Sequence, residues 1–477
     1  MDRMEIKRKE QLKLYETFKT NPELFAESSR IEDAAFLRDF GIVIPGKESC
    51  PQGYLKLYPS DFIVEEVGPD GTVSTIDAPV TPEAVPVQVP GAEKQRIIFA
   101  TLVKCNISTF DAIEDMAKRI GCSPQDIHYA GLKDKNAITS QAISFHGVDS
   151  SKLATISSPH YFLKDMRYGK GGVSKGGLKG NRFTLFIRTQ GMVDQEAFMA
   201  QERRVAETGF YNFYYLQRFG VPRFMSHELG FDIARGRYKE TIIKYLTVAS
   251  EREVPYFNRL RINIAAVVPD WTAVKALIEP FPLIMANENK IVDHLISKPE
   301  DYLGALLAVQ EQATLWVYAF SSLLFNESIS TYIQIGEPVP PELPLLLSTK
   351  KEDVDFYARL LTSIKYYPPQ FQHLRPFRTI ILQERRVRAL EKAAIDSVAF
   401  SPEGVSFRFS LNKGEYATTF LSHLFNMVSG RPPEGIAEGV VDTPSLLSKD
   451  PISRTIEYFA EVNTSRKDSG FGQFENM

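Results

Sequence analysis

The stretch AGLKDKNAITSQ, residues 130–141, sets one carboxylate, Asp134, between Lys133 and Lys135 and three residues after Gly131. Nearby cations favour the charged form of a carboxylate, so this acid is expected to stay ionised. An ionised carboxylate suits nucleophilic or base chemistry better than proton donation. Taken alone, an aspartate beside lysines reads more often as a surface ion pair than as a catalyst. Hydrolysis of a glycosidic bond calls for two carboxylates, and Glu65 or Glu66 could partner Asp134 in such a reaction.

A second chemical signal lies in residues 161–188, YFLKDMRYGKGGVSKGGLKGNRFTLFIR. It holds six glycines and seven Lys or Arg against one Asp, a local charge of 7 − 1 = +6. Glycines let the backbone approach a phosphate closely and the cations contact it. The run has neither a Walker A register nor a dinucleotide fingerprint. One reading is a solvated surface loop; the sharper one is a loop laid along a polyanion. A further basic stretch, Arg375 to Lys392, suggests that both patches share one positive face. The formal net charge of the chain is −3, so any argument for a nucleic-acid partner must be local. FYNFYYLQRFG (210–220) carries six aromatics, and Phe62, Phe183, Phe213, Tyr214 and Tyr416 each lie near a charge or a glycine. Most such rings belong to a core, but a ring beside a basic loop can stack on a base.

Other chemistries are not encouraged. The seven histidines show no H-x-x-x-H or H-E-x-x-H pairing, so no metal site is expected, and no G-x-S-x-G elbow is present. Cys50, Cys105 and Cys122 are scattered without a C-x-x-C, as in a reducing compartment. The N-terminus has no secretory h-region and no apolar run is long enough to span a membrane, so a cytoplasmic location is expected.

These residues need elements to position them. Residues 1–40 read as one or two charged helices with a thin stripe of Leu12, Leu14, Tyr15 and Phe18. GYLKLYPSDFIVEEV reads as strand, the proline-rich 77–91 as a long loop, and 96–104 as strand. Ser108 opens a helix in a capping-box variant with Asp111; Phe110, Ile113, Met116, Ala117 and Ile120 form its apolar face, and Gly121 closes it. AITSQAISF reads as strand with Ile143 and Phe145 on one face, which leaves Asp134 in a loop or at a strand edge. A helix over 194–208, strand at 397–411 and a helix over ATTFLSHLFNMVSG follow, and the last 45 residues look partly disordered. The expected domains are a helical extension (1–45), a catalytic domain in two parts (46–221 and 377–432), an insert (222–376) and a tail (433–477).

The opening stretch resembles a family signature at every fixed position: G-x-K-D-x-x-A-x-T-x-Q of the TruD family of pseudouridine synthases. YLKLYPSDFIVEE, LKGNRFTLFIR, NFYYLQRFG and LNKGEYATTFL resemble four further motifs of that family, in its order, between about 54 and 421. The resemblance implies an α+β pseudouridine synthase fold, a mixed, largely antiparallel sheet with flanking helices, plus an inserted family-specific α/β domain. It implies isomerisation of a uridine to pseudouridine in structured RNA, tRNA foremost, at position 13. Asp134 then corresponds to the catalytic carboxylate, attacking the ring, attacking C1′ or removing a sugar proton. Lys56 and Lys133 would keep it ionised. Phe62, Phe183 and Tyr416 would hold a flipped-out base, with Asn181 bonding that base or the loop. The reaction needs no cofactor, and a monomer without membrane or obligate protein partner is expected. Two motifs depart from the pattern. Tyr215 stands at a usual glycine, with an altered approach to RNA as the expected effect. Asn412 stands at a usual proline, and Ser422 and His423 at a usual Arg-Glu. The alternatives are a catalytically weak RNA-binding or chaperone member of the same fold, and a hydrolase using Asp134 with Glu65.

Overall fold

The computed structural model describes residues 3–79, 97–153, 156–366 and 371–466. The chain divides into two compact units: Gly46–Phe210 with Lys392–Gly470, and Met1–Pro45 with Tyr211–Glu391. The expected insert at 222–376 thus lies inside a wider unit, which also takes in the N-terminal segment: Leu14 is part of that unit's core.

The first unit is built on a mixed sheet of β1 (Gln52–Tyr54), β2 (Phe62–Val67), β3 (Ile97–Cys105), β4 (Ile127–Tyr129), β5 (Ile138–His146), β6 (Tyr161–Gly169), β7 (Gly180–Arg188), β8 (Ala394–Ser401), β9 (Gly404–Asn412) and β10 (Asn426–Gly430). Its order runs β10-β1-β7-β2-β5-β3-β6, with β9 joined to both β7 and β8, and β4 to β5. Only β10–β1 and β2–β5 are parallel; the other pairs are antiparallel. Long strands rich in Val, Ile, Phe and Thr bury both faces, as a sheet covered by helices requires.

Helix α1 (Thr109–Ile120) starts where the Ser108 hydroxyl accepts from the Asp111 N–H at 3.0 Å and stops at the left-handed Gly121. Ile113, Met116, Ala117 and Ile120 pack against Ile98, Leu102, Ile143 and Phe145. Phe110 departs from the expected face and is 44% exposed, because Thr109 takes the inward position in the first turn. Helix α2 (Gln195–Thr208) packs Phe198 against Phe400, Phe407 and Phe425.

Two expectations change in the C-terminal third. The helix expected over 417–430 stops at Ser422 as α3 (Ala417–Ser422), and Asn426–Gly430 becomes β10. The Asn426 amide donates to the Cys50 carbonyl at 2.7 Å and its N–H to the Pro51 carbonyl at 2.8 Å, which captures this segment as a strand beside β1. The tail packs rather than loosens, as far as Arg466. Two short helices, Thr443–Leu446 and Ser453–Tyr458, carry Ile452, Phe459 and Val462 into one cluster with Ile63, Val103 and Ile138. Residues 80–96 and 467–477, where a loop and the end of the tail were expected, lie outside the described residues.

The second unit is helical, apart from short strands such as Glu342–Pro344, which pairs with Arg386–Arg388. The α/β insert expected from the resemblance is therefore corrected to a mainly helical one. The physical reason is the spacing of its apolar residues, as in Leu229 and Ile233 or Ile242 and Leu246, which line one face of a helix. The helix Gln310–Ile335 is buried around much of its circumference. It crosses the helix Ser226–Ala234 at Gly230, where an added Cβ would stand 2.0 Å from the Trp316 carbonyl oxygen. Among the described residues no helix is long and apolar enough to cross a membrane.

Candidate active site

Asp134 lies in the irregular loop between β4 and β5. Three contacts shape that loop. The Gln141 amide donates to the Gly131 carbonyl at 2.9 Å, tying the last fixed residue of the motif to the first. The Lys133 N–H donates to the Thr109 hydroxyl at 3.0 Å, and that hydroxyl donates to Gln141 Oε1 at 3.3 Å. Beneath them the Lys104 ammonium, fully buried on β3, donates to the carbonyls of Asp134 (2.6 Å) and Ile107 (2.9 Å). Burial pulls the Lys104 amine down to about 8, with the Asp134 charge resisting.

The Asp134 carboxylate points the other way, into a pair with Lys56 at 2.7 Å; the two side chains are 49% and 22% exposed. Lys56 sits in the break between β1 and β2 with φ 63°, a left-handed conformation that costs a non-glycine residue on the order of 1–3 kcal/mol. Its ammonium also lies 3.9 Å from the Phe62 ring centroid.

Lys133 does not reach the Asp134 carboxylate. Its buried ammonium pairs with Glu66 at 2.7 Å and donates to Asn181 Oδ1 at 2.8 Å. The alternation of β2 explains this arrangement. Glu66 sits opposite Asn181 on β7 and faces Lys133, whereas Glu65 sits opposite Arg182 and pairs with it at 2.7 Å. Glu65 is thereby committed away from Asp134, which removes the structural basis for the two-carboxylate hydrolase.

The aromatic expectations sort in the same way. Phe62 and Phe183 are buried, Phe183 stacked on Phe409 at 5.1 Å and edge-on to Phe62 at 6.1 Å. Tyr416, just before α3, is 50% exposed. The glycine loop ties its segment to the motif: Gly176 donates its N–H to the Ala130 carbonyl at 2.6 Å and accepts from Lys413 at 2.7 Å. The positive charge of 161–188 is smaller than its composition implies. Lys164 is buried on Thr75, Arg182 is held by Glu65 and Arg188 by Asp61. Arg167, Lys170, Lys175 and Lys179 stay exposed, the three lysines without an ion-pair partner among the described residues. Most of the second basic stretch falls in the other unit, where Arg388 pairs with Glu391 and Glu384 with Lys350.

The departures from the family pattern have local explanations. Tyr215 has ordinary backbone (φ −85°) and is buried; its hydroxyl donates to Glu32 at 2.7 Å, and burial pushes the phenol well up. The side chain fills a core rather than facing outward. His423 is buried and neutral, pulled down to about 3 by burial, with its ring Nδ1 at 2.8 Å from the Thr419 carbonyl. Lys47 is buried beside it and donates to the carbonyls of Ser422 and Phe425 at the end of α3. Asn412 is held by Glu415 at 2.7 and 3.0 Å.

Sequence reasoning missed Lys104 and Thr109, and it gave no role to Gln141 and Lys413, although both lie in motifs named above. Lys104 leaves a trace, as a charge that closes the apolar run IIFATLV.

A partly exposed carboxylate thus sits on a clamped loop of the sheet unit, paired with one ammonium, and that loop is tied to the glycine-rich cationic segment through Gly176 and Ala130. The fold is that of a solved putative tRNA pseudouridine synthase D from Methanosarcina mazei, matched with a TM-score of 0.58 at 20% identity over 81% of this chain and 97% of that one. The chain belongs to the TruD family: the family model for tRNA pseudouridine synthase D (TruD) matches residues 47–354. The segment around Tyr416 lies beyond that match. A probable tRNA pseudouridine synthase D 1 of Methanocaldococcus jannaschii is 27% identical, over 61% of this chain and 72% of the relative. One from Archaeoglobus fulgidus is 25% identical over 73% and 75%. The chain spans 57% of the length of a Methanosarcina mazei relative, at 27% identity.

Proposed function

We propose that this protein is an RNA pseudouridine synthase acting on structured RNA, tRNA foremost and uridine 13 within it, with Asp134 as the catalytic carboxylate. The observation that carries the reading is the half-exposed Asp134 carboxylate, paired with Lys56 at 2.7 Å on a loop whose backbone Lys104 holds from below. Family membership supports the reaction class.

The isomerisation breaks the N1–C1′ bond of a uridine, turns the free uracil and forms C5–C1′; the proton leaves C5 and N1 gains one. Atoms and electrons balance within the substrate. The target uridine must first leave its stack, at a cost of a few kcal/mol. Tyr416 is the exposed ring that can offset this by stacking, with about 1–3 kcal/mol. Asp134 then attacks the nucleotide or takes a proton from it, while Lys56 orients the carboxylate from the side away from the RNA. Lys133 serves through Asn181: by neutralising Glu66 it sets the Asn181 amide at the edge of the site. Lys170, Lys175 and Lys179 contact the phosphates.

The test is tritium release from tRNA labelled at uridine C5, isolated from cells lacking the enzyme. Release by the wild type and not by Asp134→Asn supports the reading; release by both removes Asp134 from its role. Binding without release by either supports an RNA-binding member of the fold.

A further inference from the structure

The helical unit contains a cavity of about 470 Å³, within the size range of small-molecule sites. Its apolar wall is made by Phe231, Phe320, Leu324 and Leu360. Its polar lining divides into groups that satisfy one another and groups that do not. Lys244 pairs with Asp232 at 2.7 Å and with Glu228 at 3.4 Å, so these three are occupied. Arg235 lies with its guanidinium 5.0 Å from the Phe231 ring centroid, and neither it nor Arg237 has a carboxylate partner among the described residues. Glu327, on the helix Gln310–Ile335, also lines the cavity, its side chain passing beside Gly41, and no donor meets its carboxyl among the described residues. Burial pushes that carboxyl up. A half-buried acid with no protein donor is open to donors that a ligand brings.

One ligand chemistry satisfies all three features. It needs a flat body to lie against Phe231, Phe320 and the leucines, adjacent N–H donors for Glu327, and an anionic group for Arg235 and Arg237. Guanine presents N1–H and N2–H side by side, matching the two oxygens of a carboxylate. Adenine offers a donor beside an acceptor, and uracil one donor flanked by two carbonyls, so neither gives a carboxylate two bonds. A 5′-phosphate supplies the anion, which guanidinium groups bind in a fork. We propose that this cavity is a guanine nucleotide site, read by Glu327 and held by Arg235 and Arg237. The nucleotide can be an unstacked guanosine within RNA or a free 5′-nucleotide; the RNA source rests on the function proposed above, and the free source does not.

The experiment is calorimetric titration of the full chain with GMP, AMP and UMP, repeated in the presence of saturating unlabelled tRNA. GMP is expected to bind at least tenfold more tightly than AMP or UMP. Glu327→Gln should weaken GMP at least tenfold, and Leu360→Trp, which adds bulk to the apolar wall, should abolish the heat while both variants melt as the wild type does. Loss of GMP binding with tRNA present assigns the site to RNA; unchanged binding assigns it to the free nucleotide. Equal heats for GMP and AMP, or none with GMP at millimolar concentration, overturn the proposal. Asp134→Asn should leave the GMP isotherm unchanged. Failure of tritium release with GMP binding intact would remove the proposed reaction and leave this site standing.

Discussion

Two aspartates in the sheet unit each hold a cation at 2.7 Å, and they serve opposite ends. Asp61 and Arg188 are fully buried. Arg188 forks onto both Asp61 oxygens at 2.7 and 2.8 Å, and two further N–H groups reach the carbonyls of Ala437 and Gly439. Burial pushes the Asp61 carboxyl up while Arg188 pulls it back. Asp134 and Lys56 form a single, partly exposed contact. A buried pair held by four hydrogen bonds of its guanidinium is a fastening; an open pair with one contact leaves a carboxylate oxygen to meet a substrate. The same residue types therefore carry structure or chemistry according to burial and to the number of remaining partners.

Four substitutions or conditions separate the two pairs. Asp134→Asn should lower tritium release by about 10⁴-fold or more, in line with losing a residue that reacts directly, with no change in melting temperature. Asp61→Ala should do the reverse. Leaving Arg188 buried without its partner is expected to cost about 3–5 kcal/mol in denaturant unfolding, with release per folded molecule retained. A loss of release with normal stability would put Asp61, not Asp134, in the chemistry.

The third test is pH. The Lys104 amine is held at about 8, below its usual value. Above that pH the ammonium beneath Asp134 loses its charge, and release should fall by up to about tenfold per pH unit. Stability moves the other way. In this window the unfolded chain binds the proton that the folded chain has lost, so the contribution of this group to stability rises from about pH 8 towards the ordinary lysine value. Lys104→Met should remove the alkaline limb of the release profile; persistence of that limb would assign it to another group. The smallest effect belongs to Lys56→Gly. Relief of the left-handed backbone should hold stability level or raise it by up to about 1 kcal/mol, while release falls about ten- to hundredfold. A plain loss of stability would make Lys56 structural.

The parts of this site that were legible in the sequence are those fixed by local rules. Ser108 and Gly121 mark the ends of α1, and the alternation of AITSQAISF marks β5, so the loop holding Asp134 between them followed. Side-chain direction was not legible. Lys133 adjoins Asp134 in sequence, yet the pleat of β2 turns Glu66 towards it, a pairing across 67 positions of chain (133 − 66). Phe62 and Phe183 read as base-stacking rings because they sit in motifs, and only the sheet shows how far they are buried, Phe183 stacked on Phe409 and Phe62 under the ammonium of Lys56. The strand at 426–430 was hidden for a similar reason: its partner is residue 52 and its neighbours, far away in sequence.

The division of the chain also bears on the order in which the protein matures during synthesis. Residues 211–391 and the already emerged first 45 complete the helical unit before β8 leaves the ribosome. The sheet unit must wait for β9 to dock on β7, and then for Phe459 and Val462 to close the cluster around Ile63 and Ile138. The half that carries Asp134 starts at Gly46, ahead of most of the helical unit, and is finished last, so a nascent chain cannot possess a complete site until nearly all of it has been made.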